Sequence, residues 1–248
     1  MKNTFSIMSW ALVLSFTFLL PTSGSAEVSS TKSIEKFSEI KNAEKIMERA
    51  SKGETDLDVE GIGVNKYTKE VTTSKGNIIE YDVTEYMTAQ LIEKRTMSNG
   101  DNSETYAVNL IASYDGSRGD SKWDDSYGVR ASSTIYIEKS TYSGTDYWRL
   151  IRSEGGWDRQ DSSLTLTNPY TIQGTVGQSR DELYENQTIN RDISYAGSYG
   201  FDAPSYWEPV NSKGVSAWAP HVGETSHVDI YRTDPSNSWH LSLNNEYK

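Results

Sequence analysis

Residues 163–176, SLTLTNPYTIQGTV, constrain the fold of this chain more than any other stretch, because their polarity alternates with a period of two. The even positions are mostly Leu, Ile, Tyr or Val, and the odd positions are mostly Thr. Successive side chains of a strand point to opposite faces, so the pattern predicts a half-buried β-strand whose apolar even positions face the core. Proline cannot donate to a strand ladder, so Asn168-Pro169 predicts a bend, a bulge, an edge position, or a division into two strands, 164–167 and 170–176.

Alternating segments recur from residue 77 to residue 248, and turns containing Gly, Asn, Ser or Pro separate them. The SNGDNS stretch at 98–103 predicts a hairpin loop between strands at 86–97 and 104–112, although 86–97 also contains good helix formers. The strands follow one another without intervening helices. The sequence therefore predicts a mainly β fold, an antiparallel β-sandwich or alternatively a β-barrel, preceded by one N-terminal helix.

Residues 1–26 are typical of a secretory signal peptide. Lys2 supplies a positive start, residues 7–20 are mostly apolar, and the small residues 24–26 fit a cleavage site. The apolar run is short for a membrane span, which needs about 20 residues. An uncleaved N-terminal anchor is the alternative. We therefore expect a secreted, extracellular protein.

The segment between the signal and the strands is predicted to be a leader, residues 27–76. An apolar stripe with the helical period predicts a helix from Ser33 to Ala50. Residues 51–76 are polar, acidic and rich in glycine, which is typical of a linker, with a short strand at 69–73. The expected organisation is thus a signal peptide, a helical leader with its linker, and a β-sandwich domain at 77–248.

Composition excludes several kinds of chemistry. The chain has no cysteine, which excludes thiol nucleophiles, thiolate zinc sites and iron–sulfur clusters. Its net charge of −11 at pH 7 disfavours nucleic acid and anionic membranes as partners. An acidic, exported chain without cysteine is more typical of a Gram-positive bacterium than of an animal.

Four segments resemble a group of exported proteins of Gram-positive bacteria: residues 123–139, 155–166, 193–201 and 236–245. The proteins of this group share a signal peptide, a polar leader and a β domain rich in Trp, Ser and Thr, and they are functionally uncharacterised. The resemblance implies a secreted, sandwich-like β domain. It assigns no catalytic residue to this chain.

The histidines are the candidates for catalysis. His221 and His227 flank Gly223-Glu224, which is predicted to be a tight two-residue hairpin turn, so one imidazole could approach the other with Asp229 or Glu224 as orienting group. No GxSxG motif is present. The alternative is two histidines near solvent at strand ends, and the sequence assigns no catalytic residue.

Three aspartates, Asp115, Asp120 and Asp124, lie in a polar stretch at 114–127 that is predicted to be a loop. Calcium takes six to eight oxygen ligands, and glycines in the stretch permit sharp turns. The spacing departs from the helical calcium loop. We therefore expect a solvated acidic loop and no cofactor, with a calcium site as the alternative.

Aromatic residues in predicted turns and loops are the candidates for ligand binding: Trp123, Trp157, Tyr206 and Trp207. Trp and Tyr rings combine an apolar face with a polar group, so they can stack on sugars or hold a peptide. The alternative is that they cap the ends of the sandwich.

The sequence thus favours a secreted binding protein over an enzyme, with a cell-envelope glycan or a protein as ligand. A secreted hydrolase using His221 or His227 is the first alternative. A secreted antibacterial or toxin-like effector is the second. We expect no nucleic-acid partner, and no stable membrane insertion once the signal has been removed.

Overall fold

The computed structural model describes residues 31–58, 60–118, 121–122, 128–211 and 221–248. In chain order the strands are β1 (Thr31–Lys36), β2 (Gly63–Thr72), β3 (Ile78–Met97), β4 (Asn102–Arg118), β5 (Ser121–Lys122), β6 (Val129–Tyr142), β7 (Thr145–Arg159), β8 (Thr165–Gln178), β9 (Tyr184–Asp192), β10 (Tyr199–Asp202), β11 (His221–Tyr231) and β12 (Trp239–Tyr247). Helix α1 (Ala43–Ser51) lies between β1 and β2, and a short 3-10 helix (Pro235–Asn237) precedes β12. Within these ranges no helix has the length and apolar character that a membrane crossing requires.

The strands form two antiparallel sheets, which confirms the predicted fold class. The larger sheet has the order β1-β3-β4-β6-β7-β10, with β2 also paired to β3 and β5 to β4, and it curls into a half-barrel. The smaller sheet has the order β12-β11-β8-β9. The apolar core lies between them, and its aromatic members are Tyr81, Tyr106, Tyr114, Trp148, Trp157, Trp207 and Trp239.

The predicted hairpin at 98–103 is confirmed, since β3 and β4 pair antiparallel across this turn. Strand β3 is long because two strands, β2 and β1, pair with the edge that faces away from β4. Its residues 78–87 pair with β2, and its residues 93–97 pair with β1.

The predicted helix from Ser33 to Ala50 is wrong in its first half. Residues 31–36 form β1, and the helix covers only Ala43–Ser51, where the Asn42 side chain accepts from the backbone N–H of Lys45 at 3.0 Å. Like charges four residues apart, such as Glu35 and Glu39, weaken a longer helix, whereas residues 33–36 gain a continuous ladder with β3.

The stretch 51–76, predicted to be a linker, is bound to the larger sheet. Strand β2 pairs with β3 over all ten of its residues. Before it, the backbone N–H of Asp56 donates to Ala89 O at 3.0 Å, and the Asp56 carboxylate accepts from the N–H of Leu91 at 3.0 Å. The stretch is polar because most β2 side chains are exposed, and Val71 is the buried exception.

In the second half of residues 163–176, the buried and the exposed positions are the reverse of those predicted. Beyond Pro169 the threonines Thr171 and Thr175 are fully buried, and Ile172 is 39% exposed. The cause is a bulge at Asn168-Pro169, where these two residues of β8 oppose one residue of β11 and Asn168 has φ +49°. One extra residue moves every following side chain to the other face. The predicted bulge is therefore confirmed, and β8 stays one strand in one sheet.

The predicted turn at Gly223-Glu224 is wrong, because both residues lie inside β11 and pair with β8 on one side and β12 on the other. Glycine is required there since a Cβ would collide with the backbone oxygen of Asn245. The neighbouring Glu224 points into the core, where its side chain is almost completely buried.

Glu224 joins the two sheets through hydroxyl donors. It accepts from Ser133 Oγ on β6 at 2.6 Å, from Tyr199 OH on β10 at 2.7 Å, and from Thr171 Oγ1 on β8 at 2.9 Å. Burial raises the pKa of the Glu224 carboxyl, and the hydroxyl donors offset only part of that rise. Among the described residues no cation is paired with it.

We predict that the unfolding free energy of the wild type depends on pH through Glu224, and that Glu224→Gln removes this dependence. The folded chain holds the Glu224 proton more tightly than the unfolded chain, so its contribution to the unfolding free energy is present below the ordinary pKa of 4.5 and is lost as the pH rises through the raised pKa. Across that interval the wild type should lose about 1.4 kcal/mol per pH unit relative to the variant. Urea denaturation from acid to mildly alkaline pH measures this.

Glu70→Gln, the same change at an exposed position of β2, is the matched control. The difference in unfolding free energy between this variant and the wild type should not change with pH. A Glu224→Gln variant that unfolds at lower urea by the same margin at every pH would contradict the prediction.

Candidate functional site

The outward-pointing side chains of the smaller sheet form a broad surface, which we call the outer face. On β11 the even residues 222–230 are buried, so the odd residues point away from the larger sheet. The strand registers place His227 between Ser242 and Tyr170, and Thr225 between Asn244 and Ile172. On β9, Asn190 is opposite Ile172, and Thr188 and Asn186 continue the same face along the strand.

The centre of the outer face is polar but uncharged. Most of its members carry hydroxyl, amide, imidazole or phenol groups, Ile172 is apolar, and Asn244, Asn190 and Thr188 are exposed. Acidic groups lie toward its margins, at Asp229, Glu246 and Asp192, the last of which is directly opposite Tyr170. In a chain of net charge −11, this is a neutral area rich in hydrogen-bonding groups.

The bulge in β8 creates the aromatic part of this face. Because the register changes at Asn168-Pro169, Tyr170 points outward and stacks on the His227 imidazole, with ring centroids 4.4 Å apart and planes 13° from parallel. The Asn168 amide, which the same bulge positions, donates to Asp229 Oδ2 at 3.0 Å.

Three side chains of β11 and β12 form a continuous hydrogen-bonded relay. Asp229 Oδ1 lies 2.9 Å from His240 Nδ1, and His240 Nε2 lies 2.9 Å from His227 Nδ1. The β11–β12 register explains the contact, since Asp229 is directly opposite His240 and His227 is one outward position away. The carboxylate accepts from His240 Nδ1–H, so a neutral His240 accepts from His227 Nδ1–H, and Nε2 of His227 remains as an acceptor.

The surroundings keep the relay in this state at neutral pH. Burial, with smaller contributions from the neighbouring His240 and Lys69, lowers the pKa of His227 to about 4. Burial opposes ionisation of Asp229, but the hydrogen bonds from His240 and Asn168 outweigh it and keep the pKa of that carboxyl below its ordinary value. Asp229 is thus the anionic end of the relay, and His227 is its neutral end.

The relay lacks the parts of a nucleophilic triad. Across the described ranges no hydroxyl is hydrogen-bonded to His227, so no nucleophile–base pair is formed. The same part of the chain contains no group of three or more His, Cys, Asp or Glu residues that could hold a metal ion. What the arrangement offers is an oriented acceptor nitrogen on a neutral surface.

The predicted approach of His221 to His227 does not occur. The two lie six residues apart on one straight strand, which places their Cα atoms roughly 20 Å from each other. His221 contacts Glu246 at 3.1 Å. Sequence reasoning missed His240, whose role depends on which residue of β12 opposes Asp229.

The predicted aromatic binding set is divided by the fold. Trp157 lies in β7 and Trp207 follows β10, and both are in the core, 2% and 3% exposed. This corrects their assignment to exposed loops, because each ring packs between the sheets. Tyr206 is 78% exposed. Trp123 lies outside the described residues.

The predicted calcium loop begins in a strand. Asp115 lies in β4, opposite Asp82 of β3, so the polar stretch that was predicted to be a loop continues the β4 ladder as far as Arg118. Asp120 and Asp124 lie outside the described residues. The calcium alternative stays a prediction.

No protein-family model, no curated protein and no solved structure matches this chain. The resemblance to exported proteins of Gram-positive bacteria therefore stays a prediction, and the function has to be argued from the outer face itself.

We predict that His227 titrates with a pKa of about 4. Because the unfolded chain protonates this group near its ordinary value of 6.5, the stabilisation is complete above that pH and is lost as the pH falls from 6.5 to about 4. Asp229→Asn removes the one nearby charge that favours the imidazolium, so it should lower the His227 pKa further. Proton–carbon NMR titration of the imidazoles measures both values.

Proposed function

We propose that this protein is a secreted binding protein that holds a neutral, hydroxyl-rich ligand, such as a cell-envelope glycan chain, on its outer face. The observation that carries the proposal is the combination on one surface of uncharged hydrogen-bonding side chains with a stacked Tyr170–His227 pair. The described residues place no other element over this surface.

The chemistry of the side chains matches that of a sugar. Asn244 and Asn190 each present an amide donor and acceptor, and Thr225 presents a hydroxyl. Tyr170 and Ile172 lie next to one another and offer an apolar area to the C–H face of a pyranose ring. Nε2 of His227 adds an acceptor whose direction the relay fixes.

Charge supports a neutral ligand over an anionic one. With a net charge of −11 the protein repels polyanions at low ionic strength. The uncharged centre of the outer face imposes no such penalty on a neutral saccharide. A protein partner is the alternative outcome of the binding experiment.

Calorimetric titration of the mature chain with soluble cell-wall fragments and neutral glycans tests the proposal. Tyr170→Ala should weaken binding by about tenfold, because an aromatic stacking contact contributes about 0.5–1.5 kcal/mol beyond its buried area. Tyr206→Ala, at the most exposed of the described tyrosines, is the matched control and should bind like the wild type. If no glycan gives a binding signal, or if only Tyr206→Ala loses binding, the proposal that the outer face binds a glycan is contradicted.

A hydrolase is the second candidate, and the Asp229–His240–His227 relay favours it. In that case Nε2 of His227 acts as a general base toward water, so His227→Ala and Asp229→Asn should each lower turnover of a chromogenic ester. His221→Ala, at the histidine outside the relay, should keep full activity. Equal activity in all three variants would reject His227 as the base.

A further inference from the structure

The free edge of β9 is unlike the other sheet edges. β9 ends the smaller sheet, and an edge strand normally carries protection against pairing with another chain. The edge strands of the larger sheet carry such protection: β1 contains Lys32 and Lys36, β2 contains Lys66 and Lys69, and β10 has only four residues. β9 contains no lysine or proline, its charged residues Glu185, Arg191 and Asp192 lie near its ends, and its register with β8 is unbroken over nine residues.

The other end of the smaller sheet, β12, is covered from within the chain. The backbone oxygen of Ser242 accepts from Tyr114 OH at 3.2 Å and from Lys69 Nζ at 3.3 Å. The described residues place no comparable donor on β9.

The backbone direction of β9 follows from one hydrogen bond. Ile193 N–H donates to Pro169 O at 3.0 Å, so odd residues of this strand face β8 in the alternating antiparallel pattern. The N–H and C=O groups of Asn186, Thr188 and Asn190 therefore point away from β8. Within the described ranges no backbone group pairs with them.

We propose that β9 pairs antiparallel with β9 of a second copy of this chain, about a two-fold axis through Thr188. In that register all nine residues of one strand oppose all nine of the other, and Thr188 faces Thr188. Asn186 then opposes Asn190, and Glu185 opposes Arg191, twice in each dimer. Opposite charges directly across a strand pair stabilise it.

Both charges are available for this contact. Neither Glu185 nor Arg191 forms an ion pair among the described residues. The Arg191 guanidinium donates to Asp202 O at 3.3 Å and to Gln173 Oε1 at 3.5 Å, and it lies over the Phe201 ring, so its charge has no carboxylate partner there and turns from these neighbours to reach Glu185 of the second copy. Pairing would join two smaller sheets into one of eight strands and place two outer faces side by side.

A charge-exchange experiment tests the register. Glu185→Lys and Arg191→Glu should each weaken self-association about tenfold, since each places like charges opposite one another twice. An equimolar mixture of the two variants should form a heterodimer of wild-type affinity, because both cross-strand pairs are then complementary. Sedimentation equilibrium up to about 0.1 mM measures each constant, in the range of a weak specific dimer.

Cysteine cross-linking tests the axis, because the wild-type chain has no cysteine. Thr188→Cys should oxidise to a covalent dimer, as opposed residues of a hydrogen-bonded pair have Cα atoms about 5.5 Å apart, within disulfide range. Asn186→Cys is the matched control and should not cross-link to itself, since its two copies lie about four residues apart along the strands.

Thr188→Pro removes only an outward N–H, so the chain should fold and stay monomeric, with an unchanged circular dichroism spectrum. A wild type that is monomeric throughout the concentration range would overturn the proposal. So would a dimer that Thr188→Pro leaves intact, or a variant mixture that fails to associate. A monomeric chain could still bind a glycan on its outer face. The self-association experiments therefore test the dimer independently of the proposed function.

Discussion

The single extra residue at Asn168-Pro169 determines how the rest of the smaller sheet is used. Before it, Leu164 packs into the core in the sense that the alternation indicates. After it, threonine and glutamine face inward and Tyr170 faces outward. The same shift therefore supplies a hydroxyl to the buried carboxyl of Glu224 and an aromatic ring to the His227 imidazole. The interior contact and the surface site have one cause.

The interface between the sheets is consequently more polar than the centre of an ordinary sandwich. Gln173 Nε2 donates to Ser153 Oγ at 3.0 Å, and the Asn245 amide donates to Ser133 O at 3.1 Å. Buried polar groups are tolerated where partners satisfy them, and a network of this kind requires one relative position of the two sheets. An apolar interface of equal area would tolerate small sliding movements that this one does not.

Much of the fold could be predicted from the sequence, because turn residues and alternation are local signals. The β3–β4 hairpin and the interruption at Pro169 follow from them. The buried face of β8 could not be predicted, since hydroxyl and amide groups that satisfy one another across two sheets look solvent-exposed in a single sequence. Gly223 was mistaken for a turn because the sequence does not reveal which backbone approaches it. The relay was missed because the pairing of Asp229 with His240 depends on strand register.

The length of β3 has a consequence for how the chain behaves when it is cut. Residues 31–36 and 63–72 are both hydrogen-bonded to β3, and α1 lies between them with Ile46 and Ala50 buried. A protease that cleaved the exposed turn around Gly53 would sever the peptide but none of these ladders. The product would be a nicked, two-fragment protein whose short piece remains in the sheet and separates only on denaturation.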